Sequence, residues 1–236
     1  MIRRDGRFAS ETRPIKIRLD GLARVDGSAR FSFGTSAAAL TSVSGPIEVR
    51  LVAENPSQAT FEVSIRPLSS VPDIESKSLA STIRLALQPS LILTTNPRTL
   101  IQLVIQALTP SSKTGLKWDN GLIAAMINAS TMALLNAGSI PMRGIVCAVA
   151  VARVDNTLLV DPSPEEMAKD GDVSSSGCFA FMFGHGVGRT PNEADFTCVW
   201  SNWRGDGGGE QDVITGRALA KEGARQDGDD HEMVAS

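Results

Sequence analysis

Two aspartates spaced two residues apart, Asp170 and Asp172, have the strongest claim to chemistry in this chain. On a strand they would share a face, and carboxylates so paired can hold a divalent cation or divide acid and base roles. No cluster of arginine and lysine adjoins them, so a solvated turn is the competing reading. A nucleophile–histidine pair has less support. His185 sits in the loop Gly184-His185-Gly186-Val187-Gly188, His231 lies in the tail, and no G-x-S-x-G elbow is present. The Gly205–Gly209 run lacks the lysine and hydroxyl that follow in a P-loop, and reads as a linker. Cys147, Cys178 and Cys198 are widely spaced without a C-x-x-C pair, so they read as small buried apolar residues. Neither a metal nor a cofactor is expected.

The elements that must position these groups follow from periodicity. Ile15, Ile17 and Leu19 alternate on one strand, and Ala29, Phe31 and Phe33 on the next, after an Asp26-Gly27 turn. Ile47, Val49 and Leu51 predict a third strand and Phe61, Val63 and Ile65 a fourth, in a sheet expected to be mostly antiparallel. From Ile74 the period lengthens. Leu79, Ile83 and Leu87 mark an amphipathic helix stopped by Pro89. Ile101, Leu103, Ile105 and Ala107 return to strand alternation.

Asp119 is placed to cap a helix over 120–137 that is apolar almost all round, so it must be covered on nearly every side, between two sheets or at a subunit contact. Gly138 ends it and Pro141 prevents continuation. Strands are predicted over 146–154, 157–160, 178–183 and 197–203, with a polar stretch over 161–177 and a final helix over 211–225. The fold class is therefore α/β with mixed sheets: two strand-rich halves, about 14–142 and 145–226, with buried helices between sheets. They form one domain over 1–226, followed by a disordered acidic tail over 227–236.

Composition sets outer bounds. Hydrophobic residues make up 42%, and the chain is long enough to build a core without staples. No apolar run reaches transmembrane length, and the N-terminus has no apolar stretch of a secretory signal, so a cytosolic or nuclear protein is expected. The net charge of −3 argues against a uniformly basic nucleic-acid binder. Residues 1–25 nevertheless carry seven basic and three acidic side chains, an arm that either lies along phosphate or an acidic partner or stays solvated.

Several motifs, in order, resemble the RNase PH family. They are Arg4-Asp5-Gly6-Arg7, Asp26-Gly27-Ser28-Ala29, Gly34-Thr35 and Ser44-Gly45-Pro46 in the opening. Asn96-Pro97-Arg98-Thr99-Leu100, Asp119-Asn120-Gly121 and Asn128-Ala129 through Ala137-Gly138-Ser139-Ile140-Pro141-Met142 form the middle. The match spans residues 2–203 and is most similar to the small RNase PH-type ring subunits of the eukaryotic RNA exosome.

The resemblance implies an RNase PH-like fold. In active members it also implies attack of inorganic phosphate on the last phosphodiester of an RNA 3′ end, with anion donors and a carboxylate in support. In those members a Gly-Gly-(Ser/Thr)-Arg run opens the helix and builds the phosphate site. Here the run is Asn120-Gly121-Leu122-Ile123, Ser81 stands where a phosphate-binding arginine is expected with Arg84 one turn away, and Met167 and Val173 stand at the positions of two aspartates. Ser81, Asn120, Gly121, Leu122 and Ile123 thus form a degenerate phosphate site. Each donor lost costs about 3–4 kcal/mol of transition-state stabilisation.

The expectation is a catalytically silent, structural subunit of a hexameric ring supporting 3′-to-5′ RNA processing and degradation. The alternative is an active phosphate-dependent 3′-to-5′ exoribonuclease. The implied partners are other RNase PH-type ring subunits, S1/KH-type cap subunits, a catalytic hydrolytic ribonuclease and RNA threaded through the channel. Arg66, Lys77, Lys113 and Lys117 are candidates to touch that RNA, and Trp200 and Trp203 to anchor a ring contact as alternatives to core packing. Nucleus, nucleolus and cytoplasm are the implied locations.

Overall fold

The computed structural model describes residues 3, 5–19, 21–69, 71–110, 118–155, 157–168, 173–184, 196–205 and 213–224. The first half lays down β1 (Ile15–Arg18), β2 (Gly27–Phe33), β3 (Ala37–Glu48), β4 (Thr60–Arg66), α1 (Ile74–Leu87) and β5 (Thr99–Ala107). They make a five-stranded sheet in the order β1-β2-β3-β5-β4. Its pairs are antiparallel except β4–β5, which is parallel because α1 carries the chain back across the sheet between them. Asp73 starts α1 by accepting a hydrogen bond from the Ser76 N–H at 2.8 Å.

Two of the strand expectations change. The third strand begins at Ala37, ten residues earlier than Ile47, and it stops at Glu48. Leu51 lies in a 3-10 turn and is exposed, so the alternation of Ile47, Val49 and Leu51 runs past the end of the strand, although Val49 is buried. Leu19 lies just past β1 and is exposed, while Ile15 and Ile17 pack on the core.

The second half supplies α2 (Asn120–Ala137), β6 (Ile145–Val154), β7 (Thr157–Val160), α3 (Pro164–Ala168), β8 (Val173–Phe183), β9 (Phe196–Gly205) and α4, a helix over 213–224. The strands form an antiparallel sheet in the order β7-β6-β8-β9. The polar stretch after β7 is thus partly ordered: α3 falls within it, and β8 begins at Val173 rather than Cys178. The rest of the glycine run after Gly205 and the acidic tail lie outside the described residues.

The helix α2 is the axis of the molecule. Every residue from Gly121 to Leu134 is buried, with β2 and β3 against one side and β6 and β8 against the other. A helix apolar almost all round is stable only when enclosed in this way, and its buried Asn128, Ser130 and Thr131 are all hydrogen-bonded. Gly138 closes it in the left-handed region at φ +63°. Alternate residues of β6 then divide: Val146 and Ala148 join the core around α2, while Cys147, Val149 and Val151 face Phe179, Phe181 and the α4 residues Ala220 and Ala224. Thus α2 lies between the two sheets, α1 lies beside it against β4 with its outer side exposed, and α4 covers the far face of the second sheet.

Close approach of β2 to α2 depends on one glycine. A β-carbon on Gly27 would lie 2.5 Å from the Ala133 carbonyl oxygen and 2.6 Å from the Ala137 nitrogen, both backbone atoms that cannot step aside. Gly27→Ala should therefore destabilise by about 1–3 kcal/mol through overpacking, measured by urea unfolding.

Candidate functional site

Three segments meet at the N-terminus of α2: the N-terminal residues 3–13, the first turn of α2 and the bend after β7. Asp161, at that bend, is 1% exposed. Its Oδ2 accepts the Arg13 backbone N–H at 2.9 Å and Nε at 2.6 Å, and its Oδ1 accepts Arg13 Nη2. Burial works against the Arg13 charge, but the hydrogen bonds and charge of Asp161 outweigh it and raise the arginine pKa. Arg3 is buried beside this pair and donates to the carbonyl oxygens of Val160 and Ala9. Burial, then the neighbouring Arg7 charge, lowers its pKa. Arg7 donates to Asp5 Oδ2 at 2.6 Å and lies 3.8 Å from Asp161. The basic arm is therefore divided: Arg3, Arg7 and Arg13 fold inward around Asp161, with Glu166 and Asp5 beside them, while Lys16, Arg18 and Arg24 are exposed.

The site where a helix dipole would attract an anion is already occupied by acid. Asp119 takes the N-cap position of α2 with extended backbone, although its side chain makes no cap hydrogen bond of good geometry. A β-carbon at Gly121 would lie 3.4 Å from Asp119 Oδ2 and 3.5 Å from Arg13 Nη2, so both groups converge on the first turn. Asn120 donates to Ser176 Oγ at 3.2 Å, and the Ile123 N–H is bonded to the Asp119 carbonyl at 2.9 Å. Leu122 and Ile123 are 1% and 4% exposed and belong to the core. Among the described residues, the groups around this first turn are the Asp119 carboxyl, the Arg13 guanidinium paired to Asp161, and buried aliphatic side chains.

Burial pushes the Asp119 carboxyl above the usual carboxylate range, and the Arg13 charge offsets this only in part. The folded state therefore holds the Asp119 proton more tightly than the unfolded chain, and ionised Asp119 costs stability as pH rises through the elevated pKa. Asp119→Asn should raise Tm at pH 7. The advantage should shrink as pH falls toward the unfolded value near ~4, which paired thermal melts at the two pH values would check.

The other candidate residues fall elsewhere. Arg66, Lys77, Ser81 and Arg84 line one groove between β4 and α1, and Ser81 is exposed there. Lys113, Lys117, Asp170, Asp172 and His185 lie outside the described residues. Trp203 packs on Phe179 with ring centroids 5.7 Å apart, and Gly216 of α4 approaches its ring. Trp200 is partly buried against the core around α2. Core packing thus accounts for Trp203, which is no free anchor. Cys147 and Cys178 are buried thiols, and burial pushes the Cys178 thiol up, as expected of inert residues. Among the described residues no three His, Cys, Asp or Glu side chains gather as a metal site. In the sequence Asp161 is one acid of the polar stretch and Arg13 one base of the N-terminal arm, and their pairing went unmarked because they are far apart in the chain. The one available signal was a lone aspartate directly after the apolar run Leu158-Leu159-Val160.

The model of the 3′ exoribonuclease family matches this chain in both parts, domain 1 over residues 11–139 and domain 2 over residues 144–174. The chain belongs to this 3′ exoribonuclease family, the RNase PH family. Human exosome complex component RRP41 is 36% identical over 178 residues, covering 71% of this chain and 69% of the relative. The crystal structure of rice (Oryza sativa) Rrp46 superposes with a TM-score of 0.80 at 22% identity, covering 99% of this chain and 100% of that one. A chain of an Archaeoglobus fulgidus exosome with RNA bound to the active site superposes with a TM-score of 0.69 at 21% identity, over 95% and 90% of the two chains.

Proposed function

We propose that this chain is a non-catalytic structural subunit of the six-membered RNase PH-like ring of an RNA exosome. It supports 3′-to-5′ RNA processing and degradation and helps to line the RNA channel. Ring membership is supported by the human relative's being an exosome component and by a fold shared with Rrp46. Silence is supported by one observation above all: the first turn of α2 turns Leu122 and Ile123 into the core and holds the Asp119 carboxylate where an anion would dock. Loss of two side-chain donors removes about 3–4 kcal/mol each from transition-state stabilisation, enough to extinguish useful turnover. In this reading the neighbours are other RNase PH-type subunits, S1/KH-type caps sit above, and a hydrolytic ribonuclease cuts the threaded RNA. Ring closure then requires two different faces of this chain to be covered. The complex works in the nucleus, nucleolus and cytoplasm.

The position of Arg13 Nη2 beside Gly121 favours a second reading, an active phosphate-dependent exoribonuclease that uses Arg13 as a replacement donor. Incubation of the purified chain with labelled RNA, Mg²⁺ and phosphate separates the two. No nucleoside diphosphate should be released. Phosphate-dependent release that disappears in Asp170→Ala or Asp172→Ala would establish the active reading.

A further inference from the structure

β4 is the last strand of its sheet, hydrogen-bonded to β5 on one side alone among the described strands. In a strand so placed, half of the peptide groups point away from the sheet, ready to accept another chain. Such edges are usually blunted by charged side chains, proline, a bulge or a covering loop; the sequence Thr60-Phe61-Glu62-Val63-Ser64-Ile65-Arg66 has one charge of each sign and no proline. Along this edge runs a groove of about 550 Å³, mostly apolar, with all seven β4 residues on one wall and α1 on the other. It continues past Thr60, Phe61 and Arg84 into a second hollow of about 530 Å³ below Val52.

We propose that this groove receives an extended, acidic segment of another protein, which adds to β4 as a sixth strand and lies against α1. A strand edge beside a helix provides both halves of this recognition mode: main-chain hydrogen bonds from the edge and side-chain contacts from the helix. The charges specify an acidic occupant. Arg66 and Lys77 stand at one end and Arg84 at the other, and no carboxylate among the described residues pairs with any of the three. Glu62 is the one acidic side chain on the wall of the groove. Lys77 and Arg84 are two helical turns apart, about 10 Å, which lies between the spacings of about 6.6 and 13 Å for same-face carboxylates two and four positions apart on a strand, within reach of long basic side chains. Exposed Leu68, Val71 and Ile74 flank one end and Leu51 and Val52 the other, apolar surface that an occupant would cover. Single-stranded RNA fits less well, because its bases need an exposed ring to stack on. The groove's one ring, Phe61, is 5% exposed. This proposal does not depend on the chain being catalytically silent or a ring member.

The test uses the full chain and a fluorescein-labelled peptide of alternating valine and glutamate, with three controls: proline at every second position, lysine in place of glutamate, and an oligouridylate. The glutamate peptide should bind saturably and slow hydrogen exchange at the amides of residues 60–66. Arg66→Glu, Lys77→Glu and Arg84→Glu combined should weaken binding at least about tenfold, each charge contact being worth a fraction of a decade or more. A thermal melt of that variant confirms that it is folded. The proline peptide should not bind. Equal binding of the lysine peptide, protection outside β4, retention of affinity in the folded triple variant, or displacement of the peptide by the oligouridylate would each overturn the proposal. Self-association of the chain that buries the same amides in place of the peptide would do so too.

Discussion

Replacing Asp161 by asparagine is expected to cost about 3–5 kcal/mol, the usual penalty when one partner of a buried ion pair is removed. Asparagine preserves the shape and tolerates the bend, where Asp161 sits at φ +46°. The loss is therefore one of charge. Arg13, whose side chain is 10% exposed, would keep a cation in a low-dielectric site with Arg3 and Arg7 close by. For a chain of this length each kcal/mol moves Tm by roughly 2–4 °C, so the variant should melt about 6–20 °C lower. Combining it with Arg13→Gln should recover part of the loss, since the stranded charge goes too. A single-variant loss under about 1 kcal/mol, the value of a surface pair, would mean that Asp161 does not organise the N-terminal segment.

Asn128→Leu should be comparably damaging for a different reason. Asn128 is fully buried on α2, where its Nδ2 donates to the Ala148 carbonyl at 3.0 Å and its Oδ1 accepts the Ala148 N–H at 2.7 Å. One amide side chain thus satisfies both main-chain groups of a residue in the middle of β6. Leucine fills a similar volume and leaves both groups without a partner, at about 1–3 kcal/mol each. The expected result is a loss of about 2–6 kcal/mol in urea unfolding, with faster hydrogen exchange at Ala148 than in the parent. Unchanged exchange at Ala148 would show that the bridge is dispensable.

The helices α1, α2 and α4 were legible because their signals are local, whereas the short α3 fell inside a stretch read only as polar. Asp119, a run apolar but for Asn128, Ser130 and Thr131, Gly138 and Pro141 bracket α2, and its lack of a polar face already requires two covering layers. The front of β3 was not legible. Ala37-Ala38-Ala39-Leu40-Thr41-Ser42-Val43-Ser44 is mostly small residues of modest strand preference, and it becomes a strand because β2 and β5 pair with it on both sides. The Arg13–Asp161 pair was hidden for a related reason: 148 residues separate its members, and no spacing rule reaches that far. At the candidate site, the aliphatic character of Leu122 and Ile123 was plain in the sequence. The carboxylate of Asp119 beside Gly121 was visible there only as a helix cap. Its desolvated position between Arg13 and the core depends on how the two sheets close around α2.

The first turn of α2 either grips phosphate or it does not, and a titration of the full ¹⁵N-labelled chain with inorganic phosphate reads this at the Asn120 and Gly121 amides. Their resonances should show no saturable shift through the millimolar range, in Mg²⁺ or without it. A saturable shift at both amides that vanishes in Arg13→Gln would contradict the structural reading and place a working anion site at this helix.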